Sequence, residues 1–481
     1  MRKHNIQWAV LLLPFFISCT SKAEDAAVRT VTDPPVKIST TCPRYFETSD
    51  GKPWIPISTN FLPADGLGGS DDKDEIQFID NYFQKFSANG GNSLRIWIST
   101  SYLEIEDTKE GVYNPKKFER IDKLLELAEK YNLLIKFTLQ HIRTISPTSQ
   151  PSTGWANSKS LATRFKDINE YVNTPAGRHS YLNRAKALAE RYGNNKQIYA
   201  WELWNEMNAV TWDDWQDFTR QMLDSVKVIF PHQLVTQTLG SLDCPKAERT
   251  YEEMFAFKNN EFVSLHRYLD PGDEWGQYSQ VKGDIDTLVS TLMSFARKRV
   301  TDRPIVYNEV GAVEGSHAGP SKLYPLDKEG MLLHDMVFAP FFGGAAGSGS
   351  MWHWDHYILK NDLWQPFKCF AAFVSRLNPV SEAFKPFEFE SCGVRCYGLT
   401  GKTQTVIWCR DSSNNWNTEL VQGIQPSPKT DLKFAQMACI GKQYPSVQFF
   451  DPWTGEWSKV SDADSQITVP AFKRSTIIIL K

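Results

Sequence analysis

Residues Ile198 to Glu206 read Ile-Tyr-Ala-Trp-Glu-Leu-Trp-Asn-Glu. Ile198 to Trp204 is a short apolar run, and such a run, buried on both faces, suits a strand of a parallel sheet. It ends on a polar pair, Asn205-Glu206, and is followed by helical spacing over Asp213–Ile229 and by a second apolar run, Gln233–Leu239. The same rhythm extends outward. Upstream, Pro115–Tyr131 places Phe118, Ile121, Leu124, Leu125, Leu127 and Ala128 on one helical face, just before the apolar run Leu133–His141. Asp72–Phe86 has Ile76, Ile79, Phe83 and Phe86 at helical spacing, with Asp71 or Asp72 as its cap. Downstream, helices are predicted over Ile285–Arg299 and Glu329–Phe338. Strands are predicted to open at Trp54, Asn92, Leu133, Ile198, Gln233, Phe262, Pro304 and Gly347. Eight strand–helix units over about 300 residues predict an α/β fold, a (β/α)8 TIM barrel, spanning residues 40–378.

The pattern changes at residue 379. Short alternating runs take over at Val394–Leu399, Thr405–Cys409, Val447–Phe450, Ile467–Ala471 and Ser475–Leu480, separated by turns such as Asp451-Pro-Trp-Thr-Gly455. Residues 379–481 therefore read as a small antiparallel β-sandwich.

The first residues read as an address. Met1–Cys19 has a basic start (Arg2, Lys3, His4), an apolar run from Trp8 to Ile17 too short to span a bilayer, and the ending Phe-Ile-Ser-Cys. This ending resembles a bacterial lipobox, which makes Cys19 the expected lipidated residue of a cleaved signal peptide, with residues 20–39 as a tether. The short acidic patch at Glu24-Asp25 resembles a surface-export signal of Bacteroidetes lipoproteins. The expected location is the cell envelope, lipid-anchored at the outer membrane and facing periplasm or cell surface. The membrane is reached through the lipid anchor alone.

Composition narrows the function. With Lys+Arg 53 against Asp+Glu 56, the net charge is −3, so there is no basic excess to neutralise a phosphate backbone and no nucleic-acid partner is expected. Aromatic residues are 13% of the chain, with 16 Trp, a stock that suits either a large core or a ring-lined groove for sugars. Beyond Cys19, seven cysteines follow no zinc-site spacing, and no pairing is assigned to them. Neither a GxSxG elbow nor a phosphate-binding glycine loop is present, which argues against serine esterase and nucleotide chemistry.

In a (β/α)8 barrel the reactive groups project from the C-terminal ends of the strands. The fourth strand ends on Asn205-Glu206 and the seventh on Asn308-Glu309, so two carboxylates 103 positions apart (309 − 206) can face one another across the mouth. Opposed carboxylates are the machinery of glycoside hydrolysis: one gives a proton to the leaving oxygen, the other stays ionised. Arg95, on the second strand, is placed to keep Glu309 ionised. His266 or His141 joining Glu206 or Glu309 at a metal lacks supporting spacing, and neither metal nor cofactor is expected.

Trp204-Asn205-Glu206 on the fourth strand with Glu309 on the seventh resembles glycoside hydrolase clan A, family 5 in particular. The resemblance spans about Tyr45 to Val374. It implies Glu206 as acid/base and Glu309 as nucleophile of a retaining enzyme. It also implies substrate-binding roles for Arg95, His141, Asn205, His266, Tyr268, and Trp352 or Trp354, with Asn205 on the 2-hydroxyl and Tyr268 on Glu309. Trp352 and Trp354 are expected to alternate along the eighth strand and point the same way. The chain departs from the family at Met207, where Pro is usual, and at Val310-Gly311, where Phe-Gly is common. The expected partner is a β-linked poly- or oligosaccharide, mannan- or glucan-like, acted on by a monomer. The alternative is a surface lipoprotein that binds glycans without cutting them.

Overall fold

Residues 34–69, 71–140, 165–211, 215–271, 282–314 and 319–481 are described by the computed structural model. The leader Met1–Cys19 and His141 lie outside these residues. Eight parallel strands form the barrel wall: β1 (Ser58–Asn60), β2 (Ser93–Trp97), β3 (Leu134–Thr138), β4 (Ile198–Glu202), β5 (Leu234–Thr236), β6 (Val263–Leu269), β7 (Ile305–Ala312) and β8 (Gly349–Met351). Every ladder in the order β5-β4-β3-β2-β1-β8-β7-β6 is parallel. One backbone bridge, Thr238 with Ser264, closes the circle between β5 and β6. Side chains supplement this seam: Asn260 Oδ1 accepts from the Gln237 N–H at 3.1 Å and Glu261 Oε2 from the Val235 N–H at 2.7 Å.

Local chemistry sets the elements. The helix Asp72–Ala88 starts at Asp71, whose carboxylate accepts from the N–H groups of Lys73 and Asp74. Its buried face is Ile79, Tyr82, Phe83 and Phe86. The helix Pro115–Lys130 starts with Asn114 as cap and Pro115 in the first turn, where a missing N–H costs nothing. Helix Met331–Phe342 is buried on every side, lying between barrel wall and C-terminal domain. It presses on β8 so closely that a Cβ at Gly349 would stand 2.3 Å from the Met336 carbonyl oxygen.

The predicted first strand splits in two. Trp54 pairs with Phe46 in an antiparallel cap of Val36–Ile38, Phe46–Thr48 and Pro53–Trp54, and the barrel strand begins only at Ser58. Pro56 stands between them and has no N–H to offer a ladder. The cap covers the N-terminal end of the barrel, with Phe46 against Phe262 and Trp54 against Tyr199.

The C-terminal part is a six-stranded antiparallel sheet facing a two-stranded one, Lys433–Ala435 with Gln466–Thr468. Its strand Ser475–Leu480 is buried along its whole length. Ile477 and Ile479 face the barrel core, while Ile478 and Leu480 face the inside of the sandwich. This explains a continuous apolar run where an exposed sheet face would alternate. Charged pairs also join the two parts: Arg410 binds Asp335 at 3.0 Å, and Arg395 binds Asp286 at 2.6 Å. The described cysteines are all free thiols.

Candidate active site

The C-terminal ends of the strands converge on Arg95, a β2 side chain only 1% exposed. All five of its N–H donors are used. Nε and Nη2 bind Glu202 at 2.8 and 2.7 Å, and Nη2 also reaches Asn205 Oδ1 at 2.7 Å. Nη1 binds Asn60 Oδ1 at 3.0 Å and Glu309 Oε1 at 2.5 Å. One guanidinium thus orients residues of β1 and β7 and of the end of β4 together.

Glu309, on β7, also accepts from the Tyr268 hydroxyl at 2.6 Å. His266, two residues before Tyr268 on β6, puts Nδ1 2.8 Å from Glu206 Oε1 and 3.3 Å from Glu309 Oε2. Glu206, His266 and Glu309 each bring one polar atom within 4.8 Å of the others. Burial raises the pKa of Glu309; His266 and Arg95 oppose the rise, the Glu206 carboxyl adds to it, and the Tyr268 hydroxyl opposes it.

Among the described residues, those three are also the set that could hold a cation. Ligand atoms around a tetrahedral zinc stand about 3.3 Å apart at ordinary bond lengths. The 2.8 Å between His266 Nδ1 and Glu206 Oε1 is instead a hydrogen-bond length. The triad is arranged to share protons.

Glu206 sits at φ +53, a left-handed conformation unusual for a side-chain-bearing residue. This turn takes the chain off β4 into the short helix Met207–Thr211. It is held by Thr238, whose hydroxyl accepts the Glu206 N–H at 3.1 Å and whose carbonyl accepts the Met207 N–H at 3.2 Å. Asn205 is 3% exposed; with Oδ1 committed to Arg95, its amide NH2 is left as the donor.

Below this layer lies a charged layer that the reading of strand ends passes over. Glu202 is fully buried on β4, bound by Arg95, by the Thr238 hydroxyl at 2.7 Å and by Asn308 Nδ2 at 3.0 Å. Burial pushes its pKa up, but Arg95 and Lys136 outweigh burial and hold it well below the carboxylate range. Lys136, on β3, lies 3.6 Å from Glu202 and donates to Asn308. Burial pushes the Lys136 pKa down to about 7, against the pull of Glu202 and with the help of the Arg95 charge. A signal existed in the sequence: Lys136 and Glu202 each interrupt an apolar run, and charges inside a parallel sheet need one another.

The structure thus brings Arg95, Asn205, Glu206, His266, Tyr268 and Glu309 together. The two tryptophans part company. β8 ends at Met351, so Trp352 and Trp354 do not share a strand face, and Trp354 opens a π-helical turn, Trp354–Leu359. Trp354 is 4% exposed and packed among Phe61, Phe78 and Tyr82, so the expectation of a substrate contact is corrected to a core role. Trp352 is half-buried, its ring 4.9 Å from that of Trp97. Between them, His353 Nδ1 lies at hydrogen-bond distance, 2.9 Å, from the Tyr324 hydroxyl, which accepts the Ala312 N–H at 2.7 Å. Burial holds the His353 pKa down to about 4, so it is neutral at neutral pH.

No family model matches the chain. Its sequence is 22% identical over 322 residues to mannan endo-1,4-beta-mannosidase A of Hypocrea jecorina, covering 60% of this chain and 68% of that one. The structure superposes on that of a glycoside hydrolase family 5 protein from Bacteroides vulgatus with a TM-score of 0.60 at 12% identity, covering 93% of this chain and 92% of the other. A second solved structure, of a glycoside hydrolase, gives 0.58 at 11% identity over 93% and 96%. At this coverage the shared fold includes both the barrel and the domain that follows it. The chain thus has a family 5-like fold.

Proposed function

We propose that the protein is a retaining glycoside hydrolase that cuts a β-linked poly- or oligosaccharide. The carrying observation is the pair Glu206 and Glu309, presented from the ends of β4 and β7 with oxygens inside 4.8 Å of one another. Carboxyl groups about 5–5.5 Å apart belong to retaining enzymes, against about 6.5–9.5 Å for inverting ones, which leave room for a water.

The division of labour follows from the donors. Arg95 and Tyr268 stabilise negative charge on Glu309, leaving the shared proton to Glu206. Glu309 attacks the anomeric carbon while Glu206 protonates the departing oxygen; the product is a glycosyl ester on Glu309. Glu206, now ionised, takes a proton from water, whose oxygen displaces Glu309 with a second inversion. His266 steadies Glu206 in both protonation states, and the NH2 of Asn205 suits a sugar hydroxyl beside the reacting carbon. The likeness to a mannan endo-1,4-beta-mannosidase favours a mannan-like substrate, with β-glucan next.

Incubation with a panel of β-mannans and β-glucans, with chromatography of the products and NMR of the first-formed anomer, tests this. Release of products that keep the β configuration is expected. Inverted product would remove the two-step mechanism. Binding without turnover across the panel would favour the second reading, a surface glycan-binding protein.

The leader supports a further part of the reading, attachment to the cell envelope through lipid on Cys19. Two acyl chains suffice for stable attachment where one is marginal. Cys19→Ala should move the protein from the membrane to the soluble fraction; a parent protein already soluble, with Cys19 unmodified by mass spectrometry, would refute the anchor.

A further inference from the structure

At the end of the barrel away from the carboxylates, an open cleft of about 530 Å³ runs between the last turn of helix Ile285–Arg297 and the start of the sandwich strand Lys385–Ser391. Arg44, Arg297, Lys298 and Lys385 line it, with Val300 and Pro386, and among the described residues no carboxylate belongs to its wall. A small cavity shares Arg44 and Arg297 with the cleft and adds Arg303. Four cations from three separate segments therefore line the cleft, and Arg303 lines the cavity that adjoins it.

Their charges are poorly matched from within the chain. Arg303 is 4% exposed, and its Nε has no hydrogen-bond partner among the described residues; neither does the buried Nε of Arg297. The carboxylates that do approach stand back: Glu388 is 4.0 Å from Arg297, and Asp302 is 3.5 Å from Arg303 while also binding Lys258 at 2.6 Å. Burial lowers the pKa of Arg297; Glu388 opposes the shift and the Arg44 charge adds to it, which marks the two arginines as neighbours of like sign. A helix C-terminus attracts cations, and that accounts for Arg297 and Lys298. It does not account for Arg44, Arg303 and Lys385, which come from elsewhere in the chain.

We infer that this cleft is a binding site for a phosphate group. Arginine forks match tetrahedral oxyanions in geometry, and a doubly charged phosphate can neutralise several cations at once. The group can come from free phosphate or from a lipid headgroup. The cleft suits the second source as well as the first, because Arg44 belongs to the cap that begins at Val36, where the chain coming from Cys19 enters the fold.

The experiment uses the full chain and the double variant Arg44→Gln/Lys385→Gln, which spares the buried Arg303. Circular dichroism confirms that the variant folds, and Lys298→Gln/Lys385→Gln serves as a second pair if it does not. Thermal unfolding is followed with inorganic phosphate and with sodium chloride at equal ionic strength. Flotation is measured on vesicles of phosphatidylcholine with and without phosphatidylglycerol. A phosphate-specific rise in Tm that weakens about tenfold in apparent affinity in the variant supports a site for the free ion. Flotation confined to the anionic vesicles and lost in the variant supports the headgroup. The inference is overturned if phosphate and chloride act alike and the vesicles do not discriminate, or if the variant behaves as the parent in both measurements.

Discussion

Arg95 and Glu202 are joined by two parallel hydrogen bonds, at 2.8 and 2.7 Å, with both side chains at 1% exposure or less. Neither charge can exist at that depth without the other. Their pairing fixes the plane of the guanidinium, and that plane aims Nη1 at Glu309.

Glu202→Gln should therefore act twice. Breaking a buried ion pair from one side costs about 3–5 kcal/mol, because a charge is left behind. Urea unfolding should show a loss of that order. In the fraction that folds, kcat should fall while KM changes little, since Arg95 no longer holds Glu309 in place. A loss below about 1 kcal/mol with normal kcat would show that the pair is incidental.

Glu309→Gln tests the chemistry directly. Turnover should drop by about 10³-fold or more, equivalent to about 4 kcal/mol of transition-state stabilisation. Tyr268→Phe should lower turnover less, by about tenfold, because one hydrogen bond to the carboxylate is lost. Near-normal turnover of the Glu309 variant on the true substrate would move the nucleophile elsewhere.

Lys136 gives a pH signature. Its pKa is about 7 in the folded protein against about 10.4 in an unfolded chain. Between these values the unfolded state binds more protons, so this group makes stability rise with pH, by at most about 1.4 kcal/mol per pH unit. The gain begins near pH 7 and is complete near the unfolded value. Chemical denaturation from pH 7 to 9 should show a steeper upward slope in the parent than in Lys136→Met; equal slopes would mean that Lys136 stays charged.

The two tryptophans separate packing from binding. Trp354→Ala should cost about 3–5 kcal/mol, the usual price of an emptied aromatic site in a core. Trp352→Ala should leave Tm nearly unchanged and weaken substrate binding or turnover about tenfold, as loss of a stacked ring does. The converse pattern would return Trp352 to the core.

Much of this was readable before the fold was known, and the reasons are specific. Glu206 and Glu309 stood out because each follows an asparagine at the end of an apolar run. The helices Asp72–Ala88 and Pro115–Lys130 carry their own caps in Asp71 and Asn114. Strand ends next to proline or to a tight turn were harder. Periodicity alone does not reveal that Pro56 hands Trp54 to a different sheet, or that β8 stops at Met351 before its two tryptophans. The Lys136–Glu202–Asn308 layer escaped because its partners lie far apart in sequence, and only the closed barrel makes them neighbours. Arg44, Arg297 and Lys385 are likewise single surface-type residues until the cap, a helix end and the sandwich converge.

The seam between β5 and β6 has a dynamic consequence. One backbone bridge, Thr238 with Ser264, joins the two strands here, as one register pair, Thr59 with Met351, joins β1 to β8. Thr238 also fastens the turn that bears Glu206, and Ser264 lies two residues before His266. The bond between His266 and Glu206 therefore acts as a clasp across this seam. Breathing of this seam would lengthen the contact between His266 and Glu206, so amide exchange at the seam and the geometry of that pair should vary together. A tighter seam should slow the amide exchange of both strands and narrow the range of geometries that Glu206 samples.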